Sequence, residues 1–242
     1  MLYIRKYDLI SCLNWLIINF IRGDNMKTIG SIGLGAMGGS YAKFLIENNY
    51  RVYGVDPDSQ NADIFISLGG KLLNNISDLI KKTDVIILSL PTVPIFKDVI
   101  NEIEINGKSN ESKILIDMNT ISLDDKIETK NKLEELNISM VDAPVSGTGA
   151  QAKVKDIVVM SSGDKAIVDE CDNIFRSFSK QNIYVGDFGN GIKFKILANL
   201  LVTVHNTVTA EALLLGQKAG LEEKMIYQVL NAGAATSVML DK

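Results

Sequence analysis

A glycine-rich hexapeptide that directly follows a short apolar segment constrains this chain more than any other feature. Residues 28–32 are mostly apolar, and the next six, from Gly33 to Gly38, fit the spacing G-x-G-x-x-G. In a strand-to-helix turn of this kind Gly33 permits the tight turn, Gly35 lets backbone approach a pyrophosphate, and Gly38 lets the helix pack closely on the sheet. We therefore predict a strand at 28–32, a helix at about 36–49 and a dinucleotide held at the N-terminus of that helix.

An acidic residue ends the second predicted strand, residues 51–55. A carboxylate at this place, Asp56, accepts hydrogen bonds from ribose hydroxyls and repels a 2′-phosphate. Asp58 adds a second negative charge, and no Lys or Arg follows before Lys71, so we predict NAD rather than NADP. A purely structural glycine turn is the alternative, which the flanking strands, helix and acid disfavour. The predicted cofactor contacts in the turn are Gly33, Leu34, Gly35, Ala36, Met37 and Gly38.

Composition and charge exclude several classes of protein. The chain has 242 residues, 46% of them hydrophobic, and a formal net charge of −4 with no long basic run. Nothing in it indicates nucleic-acid binding, and we expect small molecules or other subunits as partners. Cys12 and Cys171 are far apart and form no C-x-x-C pair, which predicts reduced thiols in a cytoplasmic protein. No metal site is predicted.

The first 25 residues do not share the pattern that follows them. Residues 9–21 form an apolar run of thirteen, too short to cross a bilayer. Arg5 and Lys6 precede this run as in a secretory signal, but no small-residue cleavage site follows it. We expect that Met26 is the true start and that residues 1–25 lie outside the fold. A weak membrane-associating or packing helix is the alternative.

From Met26 the chain alternates predicted strands and helices, which is typical of a doubly wound parallel Rossmann sheet that we expect to extend to about residue 188. Ligands of such sheets bind at the carboxyl ends of the strands, so Leu90, Pro91, Thr120 and the loop from Ala143 onward are expected on the cofactor side. The later predicted strands are 84–90, 114–118, 138–141, 157–161 and 183–185.

The composition changes at residues 186–191, after which a long helix is predicted over 192–219, with Gly220 as its C-terminal cap. A further helix is predicted over 222–230. This is too little chain for an independent second domain. We therefore expect an all-α domain that is incomplete here, in a truncated chain. The predicted divisions are 1–25, 26–188 and 189–242.

Two polar residues of the long helix can carry chemistry. Lys195 and Asn199 lie one turn apart on one face. A lysine beside a nicotinamide can give a proton to a forming alkoxide or take one from a hydroxyl. A free lysine has a pKa of about 10.4, which suits the acid role directly and the base role only if the pKa is lowered. The alternative is that Lys195 is an ordinary exposed helix lysine.

Three motifs occur together and in order: GLGAMG at 33–38, DAPVSG at 142–147, and G-x-G-x-x-x-K-x-x-x-N at 189–199. In this the chain resembles the β-hydroxyacid dehydrogenase family, which includes 3-hydroxyisobutyrate, tartronate semialdehyde and threonate dehydrogenases. The resemblance implies hydride transfer between NAD and the hydroxyl carbon of a small 3-hydroxy acid, and we expect a homo-oligomer in the full-length form. It implies the following roles: Lys195 catalytic, Asn199 holding the substrate, Thr120 near the nicotinamide, Leu90 and Pro91 beside the cofactor, and Ser146, Gly147 and Thr148 binding the substrate carboxylate.

Two departures from the family pattern qualify these roles. Thr148 stands where the family more often has glycine, so a positive φ there would be costly. The helices that supply another substrate-binding lysine in the family are absent from this sequence. Two alternatives stay open: a relative of 6-phosphogluconate dehydrogenase, in which a histidine stands where this chain has Ala198, and a non-catalytic dinucleotide-binding module.

Overall fold

A computed structural model describes residues 27–108, 111–237 and 240. Within these residues, six parallel strands form one sheet in the order β3-β2-β1-β4-β5-β6, which confirms the predicted Rossmann sheet. Residues 1–25, expected to lie outside the fold, fall outside the described residues. The strands are β1 Ile29–Ile32, β2 Val52–Val55, β3 Lys71–Leu72, β4 Val85–Leu88, β5 Lys113–Asp117 and β6 Ile138–Asp142.

The central strands are buried on both faces because their residues are apolar in continuous runs. In β4 all four residues are fully buried, with Val85 and Ile87 in one core and Ile86 and Leu88 in the other. Ile29 of β1 lies beside Val85 in the parallel register. The strand order reverses direction between β1 and β4, and ligands of open parallel sheets bind at the carboxyl side of this switch point.

Five helices connect the six strands and cover both faces of the sheet. The first two pack on one face with Tyr41 and Phe65, and the next three pack on the other with Phe96 and Leu133. The last of them is capped by Ser122, whose hydroxyl accepts a hydrogen bond from the Asp125 N–H. The helices are α1 Gly38–Glu47, α2 Ser59–Ser67, α3 Ile76–Lys82, α4 Val93–Asn106 and α5 Leu123–Glu134.

The parallel sheet ends at β6, so the expectation that it extends to about residue 188 is wrong. Three further strands form a separate sheet in which β7 is antiparallel to β8. Only Ala143 and Pro144 separate β6 from β7, which is too short for the crossover that a parallel neighbour needs. The later elements are β7 Val145–Ser146, α6 Gly149–Ala152, β8 Val158–Ser161, α7 Lys165–Glu170, α8 Asp172–Phe178 and β9 Gln181–Tyr184.

A helical region follows, as predicted. It consists of α9, Asn190–Lys218, and α10, Glu223–Ala232. Gly220 ends α9 at φ 79°, where its N–H donates to the Gln217 carbonyl while the Leu221 N–H donates to that of Gly216. This is the glycine cap that the sequence predicts.

The surface of α9 is largely apolar and largely uncovered. Of its 29 residues, only Gly191 and Ile192 are buried. By length and composition α9 could cross a membrane, a property it shares with core helices of soluble proteins. Met225 of α10 is 52% exposed and does not belong to the core. Exposed apolar residues of α9 include Phe194, Ile196, Leu197, Leu200, Leu201, Val204, Val208 and Leu215.

Candidate functional site

A cavity of about 600 Å³ opens at the carboxyl ends of β1, β2 and β4. It is bounded by the glycine-rich turn on one side and by the residues that follow β4 on the other. Eight residues predicted from the sequence line it: Gly33, Gly35, Ala36, Met37, Gly38, Asp56, Leu90 and Pro91.

The three motif glycines meet different surroundings. Gly33 has φ 89°, and a Cβ placed on it would lie 2.2 Å from the Ser89 carbonyl oxygen. A Cβ on Gly38 would lie 2.0 Å from the Gly33 carbonyl oxygen. A Cβ on Gly35 would meet no protein atom within 4 Å and would project into open space. The fold therefore requires Gly33 and Gly38, whereas Gly35 leaves room for a ligand to approach the backbone.

The first turn of α1 is suited to an anion. The helix begins at Gly38 rather than near Ala36, because residues 35–37 form the turn that leads into it. No side chain caps its N-terminus, and its first turn has no acidic residue. The Gly39 N–H donates to the Gly35 carbonyl, but no side-chain charge of the first turn neutralises the partial positive charge of the helix N-terminus. With the space at Gly35, the residues present fit the pyrophosphate of a dinucleotide.

Backbone amides hold the Asp56 carboxylate at the edge of the cavity. One oxygen accepts the Leu34 N–H at 2.6 Å, and the other accepts the Asp58 N–H at 2.8 Å. Leu34 itself is buried and does not line the cavity, so it serves the site through this bond. Asn61 lies at the same edge, with its Nδ2 3.5 Å from Asp56. Sequence reasoning missed Asn61, because no pattern distinguishes it from other polar residues of α2.

The opposite wall follows β4. The Leu90 N–H donates to Asn119 Oδ1 at 2.6 Å. Asn119, two residues after the end of β5, therefore fixes Leu90, two residues after the end of β4. Thr120, predicted near the nicotinamide, is exposed after β5 and does not line the cavity. Sequence reasoning also missed an apolar part of the wall, because its side chains follow the ordinary core pattern of α3 and α4. These residues are Ile76, Ile95 and Val99.

The predicted carboxylate-binding loop begins at Ser146, the last residue of β7. Ser146 is exposed, and Gly147 has φ 143° with Ile157 so close that a Cβ would lie 2.5 Å from its Cγ2. Thr148 has φ −99°, so the predicted cost of a positive φ there does not arise. Instead Thr148 and Gln151 form a capping box for α6. The Thr148 N–H donates to Gln151 Oε1 at 3.1 Å and is therefore already engaged.

This loop lies against the dinucleotide turn. A Cβ placed on Gly149 would be 3.4 Å from the Ala36 Cβ, which is an ordinary van der Waals contact. The segment predicted to bind a substrate carboxylate thus lies close to the segment predicted to bind the cofactor phosphates.

The start of α9 is bound beside the same loop. The Gly191 N–H donates to Ser162 Oγ at 3.0 Å, and the Ile192 N–H donates to Asp142 Oδ2 at 2.9 Å. A Cβ on Gly191 would lie 2.9 Å from Pro144 Cδ. The first turn of α9 is therefore fixed to the chain just before the Ser146 loop.

Lys195 lies one turn further along α9. It is half-buried, and burial lowers the pKa of its ammonium group below the ordinary value. Asn199 is exposed one turn beyond it. Lys193 is exposed, and its Nζ lies 3.3 Å from Asn190 Oδ1. Among the described residues, no group of three His, Cys, Asp or Glu side chains could hold a metal ion.

Two protein families match the chain. Residues 28–186 match the NAD binding domain of 6-phosphogluconate dehydrogenase. Residues 189–242 match the family described as NAD-binding of NADP-dependent 3-hydroxyisobutyrate dehydrogenase.

Individual relatives differ in how much of their length the chain covers. It is 28% identical to 2-(hydroxymethyl)glutarate dehydrogenase of Eubacterium barkeri, over 88% of this chain and 71% of that protein. It is 25% identical to the cytokine-like nuclear factor N-PAC of Pongo abelii, over 89% of this chain but only 39% of that protein. The structure of Mycobacterium tuberculosis 3-hydroxyisobutyrate dehydrogenase with L-serine matches with a TM-score of 0.81 and 25% identity, over 88% of this chain and 72% of that one.

Proposed function

The chain belongs to the β-hydroxyacid dehydrogenase family of NAD(P)-dependent oxidoreductases, and on that premise we propose that it transfers hydride between NAD and a small 3-hydroxy acid. The expected substrates are of the 3-hydroxyisobutyrate, threonate or tartronate semialdehyde type. One observation carries the proposal: α9 presents the half-buried Lys195 one turn from an anchor beside the Ser146 loop, and that loop lies close to the dinucleotide turn at Ala36.

In this proposal Lys195 moves the proton. Its ammonium donates to the substrate oxygen as a carbonyl is reduced, and its neutral amine accepts the hydroxyl proton in the reverse direction. Burial lowers the pKa of Lys195, which makes the neutral form easier to reach than in a free lysine. The bound nicotinamide supplies or accepts the hydride.

The substrate carboxylate is assigned to the loop at Ser146, Gly147 and Thr148. The exposed Ser146 hydroxyl can donate to it directly. The Thr148 N–H can do so only when Gln151 releases it. Asn199 is proposed to hold the substrate through its amide. Thr120 is proposed to lie near the nicotinamide, across the opening of the site.

Two carboxylates support NAD as the cofactor. Asp56 is fixed at the cavity edge by the Leu34 and Asp58 amides, and Asp58 also lines the cavity. Both would repel the 2′-phosphate of NADP. We expect NADH to bind more tightly than NADPH in a fluorescence titration. Asp56→Ser should narrow the difference and Asp56→Arg should reverse it. Tighter binding of NADPH by the parent protein would reject this assignment.

The catalytic role of Lys195 is tested by paired substitutions on one helix. Lys195→Ala should lower turnover by about 100-fold or more, as loss of a positioned general acid does, with little change in NADH affinity. Lys193→Ala is the matched control, because Lys193 is exposed and bound to Asn190. A panel of 3-hydroxy acids, with 6-phosphogluconate included, would be assayed through NADH absorbance. Equal turnover of Lys195→Ala and the parent would exclude the mechanism.

A non-catalytic dinucleotide-binding module is the second candidate. It is favoured by the similarity to N-PAC, whose name states no enzyme activity and of which the chain covers about two fifths. Tight NADH binding by the parent, with no turnover of any acid in the panel, would support it. A 6-phosphogluconate dehydrogenase-like activity is less favoured, because Ala198 stands where that resemblance expects histidine.

The proposal extends to assembly and location. We propose a homo-oligomer in the full-length form, supported by the exposed apolar residues of α9. Sedimentation velocity would test this, and a concentration-independent monomer would reject it. We also propose a cytoplasmic location, since Cys171 is a buried free thiol.

A further inference from the structure

Three charged side chains are buried together beneath the proposed site. The Nζ of Lys126, on α5, lies 2.5 Å from Asp117 Oδ2 and 2.9 Å from Asp142 Oδ1. All three side chains are completely inaccessible to solvent. Burial by itself lowers the pKa of Lys126, but the charges of Asp117 and Asp142 outweigh burial, so its pKa is raised overall and it stays protonated. Charges are buried at such a cost only when they are paired and hydrogen-bonded.

One arm of hydrogen bonds runs from this cluster to the cofactor cavity. The other carboxylate oxygen of Asp117, Oδ1, accepts two hydrogen bonds from Asn119, one from its backbone N–H at 3.0 Å and one from its side-chain Nδ2 at 2.6 Å. Asn119 Oδ1 in turn accepts the Leu90 N–H at 2.6 Å. Through Asp117 and Asn119, Lys126 is thus connected to Leu90, which lines the cavity.

A second arm runs from the cluster to the long helix. Asp142 Oδ2 accepts the Ile192 N–H at 2.9 Å and the Ser162 hydroxyl at 3.0 Å. Ser162 Oγ accepts the Gly191 N–H at 3.0 Å. A Cβ on Gly191 would lie 2.8 Å from Asp142 Oδ2, so the close approach depends on glycine. Asp142 therefore fixes the turn of α9 that precedes Lys195.

We propose that Lys126 is a positioning residue that fixes the Leu90 side of the cofactor cavity and the Lys195 turn of α9 relative to each other. It does so by holding Asp117 and Asp142, each of which carries one arm, without touching cofactor or substrate. If the Lys126 ammonium is removed, the buried carboxylates of Asp117 and Asp142 lose the charge between them and repel each other. One of them must then take up a proton or move. Either response loosens an arm.

A second buried lysine, Lys113, provides a matched control for the loss of stability that follows when a buried ammonium group is removed. Lys113 is also buried, and its Nζ donates to the Thr83 carbonyl at 2.8 Å. It begins β5, whereas Asp117 ends that strand, so Lys113 lies at the sheet edge opposite to the cavity. Lys113→Met therefore removes a buried ammonium group without touching either arm.

Site-resolved amide hydrogen exchange tests the proposal. In Lys126→Met the Leu90 and Ile192 amides should exchange about tenfold faster than in the parent, while the Ile87 amide, deep in β4, reports any global loss of stability. In Lys113→Met the Leu90 and Ile192 amides should accelerate no more than the Ile87 amide does. The proposal is overturned if both amides of Lys126→Met keep the parent's protection, or if they accelerate only as much as the Ile87 amide.

Single-arm variants keep the test decisive if Lys126→Met does not fold. Asn119→Ala should accelerate exchange of the Leu90 amide and leave that of the Ile192 amide unchanged. Ser162→Ala should accelerate exchange of the Gly191 amide and leave that of the Leu90 amide unchanged. Unchanged protection in both variants would show that the arms do not hold these segments.

A kinetic readout rests on the proposed function, whereas the exchange readout needs no substrate. In an active parent, Lys126→Met should lower kcat about tenfold or more through misplacement of Lys195, and Lys113→Met should leave kcat within about twofold. Equal kcat values for the two variants would overturn the positioning role. A parent without turnover would count against the dehydrogenase proposal alone, because exchange at Leu90 and Ile192 would still decide the role of Lys126.

Discussion

The cofactor half and the helical half of the candidate site are built differently. In the cofactor half, backbone amides orient Asp56, and Gly33 and Gly38 are packed so tightly that neither admits a Cβ. In the helical half, the first turn of α9 is anchored, Lys195 is half-buried and Asn199 is exposed. The cavity is thus preorganised by the sheet that carries it, whereas the turn of α9 that carries Lys195 is held by a few hydrogen bonds at the base of the helix.

The largest effect is expected at Gly38 of the cofactor half, and Gly35 gives the matched comparison. Gly38→Ala should lower the free energy of unfolding by about 3 kcal/mol and abolish NADH binding, because the Cβ would meet a backbone oxygen that cannot move alone. Gly35→Ala makes the same chemical change in open space. It should alter stability by no more than about 0.5 kcal/mol and still weaken NADH binding about tenfold. Urea denaturation measures the stability of the two variants, and NADH titration measures their cofactor affinity. Equal destabilisation by Gly38→Ala and Gly35→Ala would contradict the difference in packing between the two glycines.

Two apolar residues of α9 test the helical half. Ile192 is fully buried, and Ile192→Ala should lower the free energy of unfolding by about 2–4 kcal/mol. Leu197 is 56% exposed, and Leu197→Ala should cost less than about 0.5 kcal/mol in the isolated chain. Denaturation at several protein concentrations measures both costs. A cost at Leu197 that matches Ile192 and grows with concentration would mean that another copy covers this face.

The pH dependence of turnover follows from the burial of Lys195. Its pKa is lowered, so the ammonium form is lost at a pH below the value of about 10.4 for free lysine. In the proposed mechanism carbonyl reduction needs that form, so reduction should slow as pH rises through the lowered pKa, whereas oxidation of the hydroxy acid should speed up. Profiles of kcat/KM in both directions measure this. Parallel profiles in the two directions would show that another group moves the proton.

A smaller effect than at Gly38 or Ile192 is expected at the capping box of α6. Gln151→Ala removes the acceptor of the Thr148 N–H and should lower the free energy of unfolding by about 1 kcal/mol. NADH affinity should stay unchanged, because Gln151 does not line the cofactor cavity. Gln60→Ala, at an exposed position on α2, is the control. A large loss of NADH affinity in Gln151→Ala would show that the loop and the dinucleotide turn are one structural unit.

Local patterns were sufficient to predict the sheet that carries the cofactor half. The glycine spacing and the apolar runs of β1 and β4 identify a Rossmann sheet, because they reflect turn geometry and burial on both faces. The separate sheet of β7 to β9 could not be foreseen, because the pairing of such short strands depends on tertiary contacts. The pattern T-x-x-Q from Thr148 to Gln151 does signal a capping box, and sequence reasoning overlooked it.

The buried cluster lay beyond sequence reasoning for a different reason. Lys126 stands in a helix rich in charged residues, where a lysine is ordinarily solvated. Its burial depends on Asp117 and Asp142, which two different strands bring together. The periodicity of a single helix or strand carries no information about such contacts between side chains of different elements. The roles assigned to Lys195, Asn199, Ser146 and Thr120 remain predictions.

The bond from Ile192 to Asp142 joins residues 50 positions apart and has a consequence for unfolding. The base of α9 cannot fray without uncovering a carboxylate of the buried cluster, so this turn opens together with the sheet. In the part of the chain that the structure describes, the turns of α9 just beyond Asn199 make no hydrogen bond to the sheet, so they can open at much lower free energy. A protease should therefore nick the distal turns of α9 first and leave Lys195 on a stable stub of helix.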